Sequence, residues 1–275
     1  MAITPASTTI ALFGATGSTG SATLRSLLSK TNLNLHLRIL VRSKDKLFKL
    51  VPDLKSHSSC RIWEGDLTDT ETVKECITGA NVIICTIGEN RNIPGVDVIQ
   101  KISHSIVSGL GALKQFSTSS EWKKPRLLLL SSVTWNKRLD TGFDPIKFIV
   151  KKAFYHPYAD LLEAHKTFEE AEQAELLSLL LVQPPVLIDE EPTGYEISVD
   201  KSRVGVSYTD LGAGFAELAA ESAYSDVGAV IVTSLAGDSF PRYASEILSR
   251  IFWGLLSGNV PGYWPVAQWL ERAWR

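Results

Sequence analysis

Ile10-Ala11-Leu12-Phe13-Gly14-Ala15-Thr16-Gly17-Ser18-Thr19-Gly20 is the stretch that decides the fold. An apolar run of strand length leads directly into glycines at 14, 17 and 20, and a segment of helical character follows. Glycine serves where a chain turns sharply, where backbone must approach a pyrophosphate and where a helix packs tightly on a strand. The start of the following helix then offers free N–H groups to phosphate. The spacing G-x-x-G-x-x-G is one residue removed from the dinucleotide fingerprint G-x-G-x-x-G. Gly14, Thr16, Gly17, Ser18, Thr19 and Gly20 are therefore expected to form the phosphate-binding turn of a nucleotide cofactor.

Outward from this turn, short apolar runs alternate with helix-like segments. Strands are expected at 10–13, 35–41, 61–63, 82–86, 127–131, 178–182 and 229–233, and helices at 21–28, 71–77, 96–113, 160–175 and 210–222. Several runs are near-continuous Leu, Ile and Val, as strands covered on both faces require. The fold class expected is α/β, a Rossmann-type doubly wound parallel sheet with a small C-terminal substrate lobe. Gln183-Pro184-Pro185 breaks the pattern, and a Gly- and Pro-punctuated stretch follows to about 207. The expected division is a cofactor-binding core at 1–183, then 184–275 as a small substrate lobe with the final strand and helices packed on the core. The tail at 243–275 pairs a helix with Tyr263, Trp264, Trp269 and Trp274. It reads as a helix docked on the core, with contact to a membrane surface as the alternative.

Composition narrows the field. Of 275 residues, 44% are hydrophobic and 21% charged, enough apolar material for a sizeable core. With 28 Lys and Arg against 30 Asp and Glu, no positive excess exists to neutralise a nucleic-acid backbone, so no nucleic-acid partner is expected. Cys60, Cys76 and Cys85 have no metal-ligand spacing and read as buried thiols of a reducing compartment. No signal peptide and no transmembrane run stands out, which makes a cytoplasmic location the expectation; oligomeric state is not readable.

The second strand ends in Val41-Arg42-Ser43-Lys44, where an NAD-binding chain usually presents an acidic residue to the ribose 2′-hydroxyl. A basic residue there suits a 2′-phosphate, so Arg42, assisted by Ser43, points to NADP(H). Gly65-Asp66-Leu67 after the third strand and Thr86-Ile87-Gly88 after the fourth lie at carboxyl ends, where open α/β sheets bind ligands. Asp66, Leu67, Thr86, Ile87 and Gly88 are expected cofactor contacts, completed by Ser131 and Pro184 after the fifth and sixth strands.

Together with Leu130-Ser131-Ser132, these motifs make the chain resemble the atypical short-chain dehydrogenases of the NmrA-like, NAD(P)-binding type, over nearly its whole length. Gly88-Glu89-Asn90, 132–136 and 155–162 are most similar to averufin-oxidase-A-like proteins of fungal aromatic polyketide pathways. The resemblance implies a catalytic Ser, Tyr and Lys, with Tyr and Lys four residues apart on one helix. The Ser maps to Ser131 or Ser132. The pair does not map, because Leu162 stands four residues after Tyr158 and Ala159 four after Tyr155. An unassisted phenol has a pKa near 10, so proton transfer needs other help. Lys166, two helical turns on, is a candidate, with Asp160 and His165 nearby. The candidate catalytic set is Ser132, Tyr158, Asp160 and Lys166, with a helix cap as the alternative for Asp160.

The function expected from the resemblance is an NADP(H)-dependent oxidoreductase acting on a small, hydrophobic, aromatic or polycyclic natural-product intermediate. Two alternatives stand beside it: a non-redox acid–base catalyst with structural NADP(H), and a redox-sensing regulator without catalysis. Tyr195, Tyr208, Phe215 and Trp264 are available to line an apolar pocket.

Overall fold

The computed structural model describes residues 7–31, 33–117, 122–139, 144–221 and 224–273. Six strands, β1 (Thr8–Phe13), β2 (Leu35–Val41), β3 (Cys60–Glu64), β4 (Val82–Cys85), β5 (Arg126–Leu130) and β6 (Ser178–Val182), form parallel pairs in the order β3-β2-β1-β4-β5-β6. After two short strands, β7 (Val186–Ile188) and β8 (Tyr195–Ser198), come β9 (Gly205–Ser207) and β10 (Ala229–Ser234). β10 returns to pair in parallel with β6, and β8 closes that edge antiparallel to β10. β7 and β9 form a separate parallel pair. The expected strands are all present, within a residue or two at their ends.

Period-two alternation shows why these runs are strands. In β1, Ile10 and Leu12 point to one core, Ala11 and Phe13 to the other; in β4, Val82 and Ile84 oppose Ile83 and Cys85 in the same way. Both faces are covered, which is why the sequence reads as unbroken apolar runs. Each large side chain withdrawn from water here contributes about 1.5–3 kcal/mol.

On one face lie α1 (Ser18–Ser29) and α7 (Tyr208–Ala220), packed so closely that a Cβ on Gly212 would sit 2.6 Å from the Ala22 backbone. On the other lie α3 (Thr70–Ile77), α4 (Val98–Gln115) and α6 (Tyr155–Gln173), in contact in that order. Two helices escaped the sequence reading: α2 (Lys44–Leu50), capped by Ser43, and α5 (Pro145–Ala153), capped by Asp144. The α7 expectation extended to Ser222, which lies outside the described residues; within them the helix ends at Ala220.

The segment after Pro184 does two things. Through α7 and β10 it completes the sheet; through β7, β9, α8 (Phe240–Asn259) and α9 (Tyr263–Ala273) it builds over the carboxyl ends of β4, β5 and β6. Trp274 lies outside the described residues. Among those described, no helix is long and apolar enough to cross a membrane. Cys76 and Cys85 are buried, and burial pushes both thiols up to about 12; Cys60 is half-buried rather than buried.

Candidate active site

Strand order reverses between β1 and its neighbours β2 and β4, and the glycine turn sits at that reversal. Gly14 has φ of +91°, a left-handed conformation that favours glycine, and a Cβ on it would lie 2.6 Å from Thr86 Oγ1. A Cβ on Gly20 would overlap the Gly14 carbonyl. Gly17 is exposed and caps α1 without a side-chain bond, and a Cβ on it would lie 3.3 Å from the Gly14 carbonyl oxygen. The N–H groups of the first α1 turn, Ser18 and Thr19 included, point out of the helix end where a pyrophosphate is held. These cradles fit a dinucleotide.

Thr86 is buried, and its hydroxyl donates to the Phe13 carbonyl at 2.9 Å. It ties the chain after β4 to the end of β1 and supports the glycine turn from beneath. Arg42 stands exposed after β2, close enough to Asp66 for their charges to interact. Ser43 accepts from the Lys46 N–H as the α2 cap. Asp66 accepts from the Thr68 N–H and hydroxyl, which holds its carboxyl below the usual range, while Leu67 packs on the core.

From the β4 end onward a cavity of about 670 Å³ opens under the C-terminal helices. Ile87, Gly88, Ser131 and Pro184 line it on the sheet side, and residues of α8 and α9 on the other. Most of the wall is apolar. Three hydroxyls converge within it: Tyr158 Oη lies 3.3 Å from Ser132 Oγ and 3.1 Å from Thr134 Oγ1, and the two shorter side chains are 3.1 Å apart. These distances are at the long end for O–H···O bonds, whose commonest length is near 2.7–2.8 Å, and they leave the phenol able to bond a substrate oxygen as well. Trp135 meets the Tyr158 ring edge-on at 5.6 Å and Phe154 lies at 6.0 Å, fixing its orientation. Ser131 Oγ is buried beside the cluster and has no hydrogen-bond partner among the described residues, which leaves it for a ligand.

Two catalytic candidates are placed elsewhere. Asp160 is buried, and its two carboxylate oxygens accept from the Ile99 and Gln100 N–H groups at 3.0 Å, capping α4 from a neighbouring helix. Lys166 is exposed and outside the cavity wall. Eight residues advance an α-helix by roughly two turns plus 80°, which carries it off the face of Tyr158. His165 is buried, and desolvation followed by the Lys137 charge pushes its imidazole down to about 4. Among the described residues, no ammonium group hydrogen-bonds Tyr158.

Of the aromatics expected at the pocket, only Trp264 lines it; its indole N–H donates to the Asn92 carbonyl at 3.0 Å. Phe215 is fully buried in the core, Tyr195 bonds Glu217, and Tyr208 is outside the wall. Thr134, Phe154 and Asn92 were not singled out. Thr134 was detectable, standing two residues past Ser132, whereas Asn92 carries no sequence signal for the bonds it makes to Gly254, His156 and Trp264.

A parallel sheet whose strand order reverses beside a phosphate-sized glycine turn belongs to the dinucleotide-binding Rossmann class. Sequence comparison then gives the family: an NAD(P)H-binding family model matches residues 14–236, and the chain belongs to that family. NAD(P)(H) is its cofactor. The chain is 36% identical over 223 residues to averufin oxidase A of Dothistroma septosporum, covering 77% of this chain and 78% of that protein. It is 30% identical over 212 residues to oxidoreductase stcQ of Emericella nidulans, with 76% of each covered. A Rossmann-fold NAD(P)-binding family protein from Shigella flexneri superposes with a TM-score of 0.57 at 17% identity, covering 85% of this chain and 97% of that one.

Proposed function

We propose that this protein is an NADP(H)-dependent oxidoreductase that reduces a carbonyl on a hydrophobic aromatic or polycyclic natural-product intermediate, with 184–275 contributing the substrate lobe. The observation that carries this reading is the Ser132–Thr134–Tyr158 hydroxyl cluster inside a largely apolar cavity continuous with the carboxyl ends of β4, β5 and β6. The oxidoreductase names of similar fungal proteins support it.

Gly14, Thr16, Gly17, Ser18, Thr19 and Gly20 would hold the pyrophosphate, and Arg42 a 2′-phosphate. Asp66 and Leu67 would flank the adenine, and Ile87, Gly88, Ser131 and Pro184 the reactive end. When bound, the reduced cofactor supplies a hydride to a carbonyl carbon. Tyr158 donates a proton to the carbonyl oxygen as charge develops there, giving an alcohol. Ser132 and Thr134 orient the phenol and share the substrate oxygen's hydrogen bonds, and the apolar wall excludes water. A phenol partnered by neutral hydroxyls carries the proton that the reductive direction requires.

The test is reduction of polycyclic aromatic ketones with NADPH. Tyr158→Phe is expected to lower kcat by about 10²–10³-fold with NADPH affinity retained. Unchanged kcat in that variant would remove Tyr158 from the chemistry. A second reading draws on the same missing ammonium: the cluster moves protons only, NADP(H) is structural, and product forms without NADPH oxidation.

A further inference from the structure

Alongside Glu89, Arg91, Arg203 and Arg250, the cavity is lined mostly by apolar side chains, and the helices that roof it carry further apolar side chains on their exposed sides. α5 packs against α8 so closely that a Cβ on Gly254 would overlap the Ala153 carbonyl, and α8 contacts α9. Val150 on α5, Trp253 on α8 and Tyr263 on α9 all contribute to the cavity wall. On their outer sides these helices expose large apolar side chains: Ile146 at 71%, Leu248 and Phe252 at 60%, and Trp269 at 66%. Trp253 is both exposed and part of the wall, so the patch reaches the cavity rim. Large apolar side chains exposed on three helices that contact one another in turn are the raw material of an interaction site.

Two charge features select the occupant. Between Asp144 and Asp160 the chain carries Lys147, Lys151 and Lys152 and no acidic residue. From 251 to 270 it carries no charge at all, while holding Trp253, Tyr263, Trp264 and Trp269. Lysines interleaved with exposed Ile and Phe on a short helix, beside a charge-free aromatic segment, are the composition of helices lying in a lipid interface. There indole and phenol rings sit at head-group depth. A two-fold contact between copies of this chain through this face would bring two sets of these lysines into one interface. Anionic head groups complement these charges, most directly the exposed Lys152, since Lys147 donates to the Leu139 carbonyl at 2.7 Å and Lys151 lies over the Trp135 ring.

We propose that α5, α8 and α9 dock the protein on an anionic lipid surface, placing the cavity mouth against the bilayer. This docking stands independently of the redox reading; only direct entry of an apolar substrate from the lipid rests on it.

The experiment is co-sedimentation of the full-length protein, with NADPH present, on vesicles of phosphatidylcholine alone and of phosphatidylcholine mixed with phosphatidylserine. The expected result is binding to the mixed vesicles that weakens as salt rises. Lys152→Gln should lower that affinity about fivefold, and the double variant Leu248→Gln/Phe252→Gln at least as much. Neither change touches the cavity wall, so NADPH binding and thermal midpoint report whether the variants are folded. Absence of binding to the mixed vesicles by folded wild type would overturn the proposal. So would a concentration-dependent dimer abolished by Phe252→Gln, which would assign the face to a second copy.

Discussion

At the Gly14 end of the site the chain is shaped to meet its ligand with backbone; at the Trp253 end it presents side chains. The first depends on positions where even a methyl group collides with the Gly14 carbonyl or with Thr86, and all its parts lie within eleven consecutive residues plus the threonine that follows β4. The second is assembled from α5, α6, α8, α9 and the loop holding Asn92, held together by bonds such as His156 N–H to Asn92 and Asn92 to the Gly254 carbonyl. A backbone site tolerates almost no substitution and serves one common ligand. A side-chain site can change its wall while its frame stands, which suits the part of an enzyme that chooses a substrate.

Breaking the backbone end should have the largest effect. Gly20→Ala drives a Cβ into the Gly14 carbonyl and is expected to lower stability by about 3 kcal/mol and abolish NADPH binding, read by denaturant titration with and without NADPH. Near-normal binding in that variant would mean that the turn yields and the contrast is false.

His165 tests the side-chain half through pH. Its folded imidazole titrates near 4 against 6.5 for an ordinary histidine. Above pH 6.5 both folded and unfolded forms are neutral and nothing changes. Below it the unfolded chain takes up a proton that the folded chain refuses, so stability falls between about pH 6.5 and 4, by about 3 kcal/mol in total, and levels off below. Urea midpoints for His165→Gln across this range should lack that component; an identical slope in both proteins would show that His165 is not the group responsible.

Asp160→Asn sharpens the distinction between frame and chemistry. Removing the charge from the α4 cap should destabilise the fold by about 1–2 kcal/mol with kcat nearly unchanged in the surviving folded protein. A large drop in kcat at unchanged stability would return Asp160 to the catalytic set. Smallest is Arg42→Ala, expected to weaken NADPH by about tenfold, or about 1.4 kcal/mol, and leave NADH unaffected in calorimetric titration.

The same contrast explains what was legible in the sequence. The sheet, its strands and the glycine turn could be read because each is specified by neighbours in the chain: period-two burial for β1 and β4, forbidden Cβ positions for Gly14 and Gly20. α5 was missed because its nine residues begin at a proline and run into Phe154, with lysines breaking the apolar pattern. Lys166 was misplaced because two turns approximate, but do not restore, a helix face. Asp160 was ambiguous because its partners, Ile99 and Gln100, lie some sixty positions away. Tyr158 and Ser132 could be named from the chain, yet their meeting with Thr134 is a property of β5 and α6 packing together.

The most direct test of the central claim is the ratio of NADPH consumed to product formed when wild-type protein turns over a polycyclic aromatic ketone. One NADPH oxidised per alcohol produced is the predicted result. Product formed with NADPH intact would contradict a reductase and assign the hydroxyl cluster to proton transfer alone.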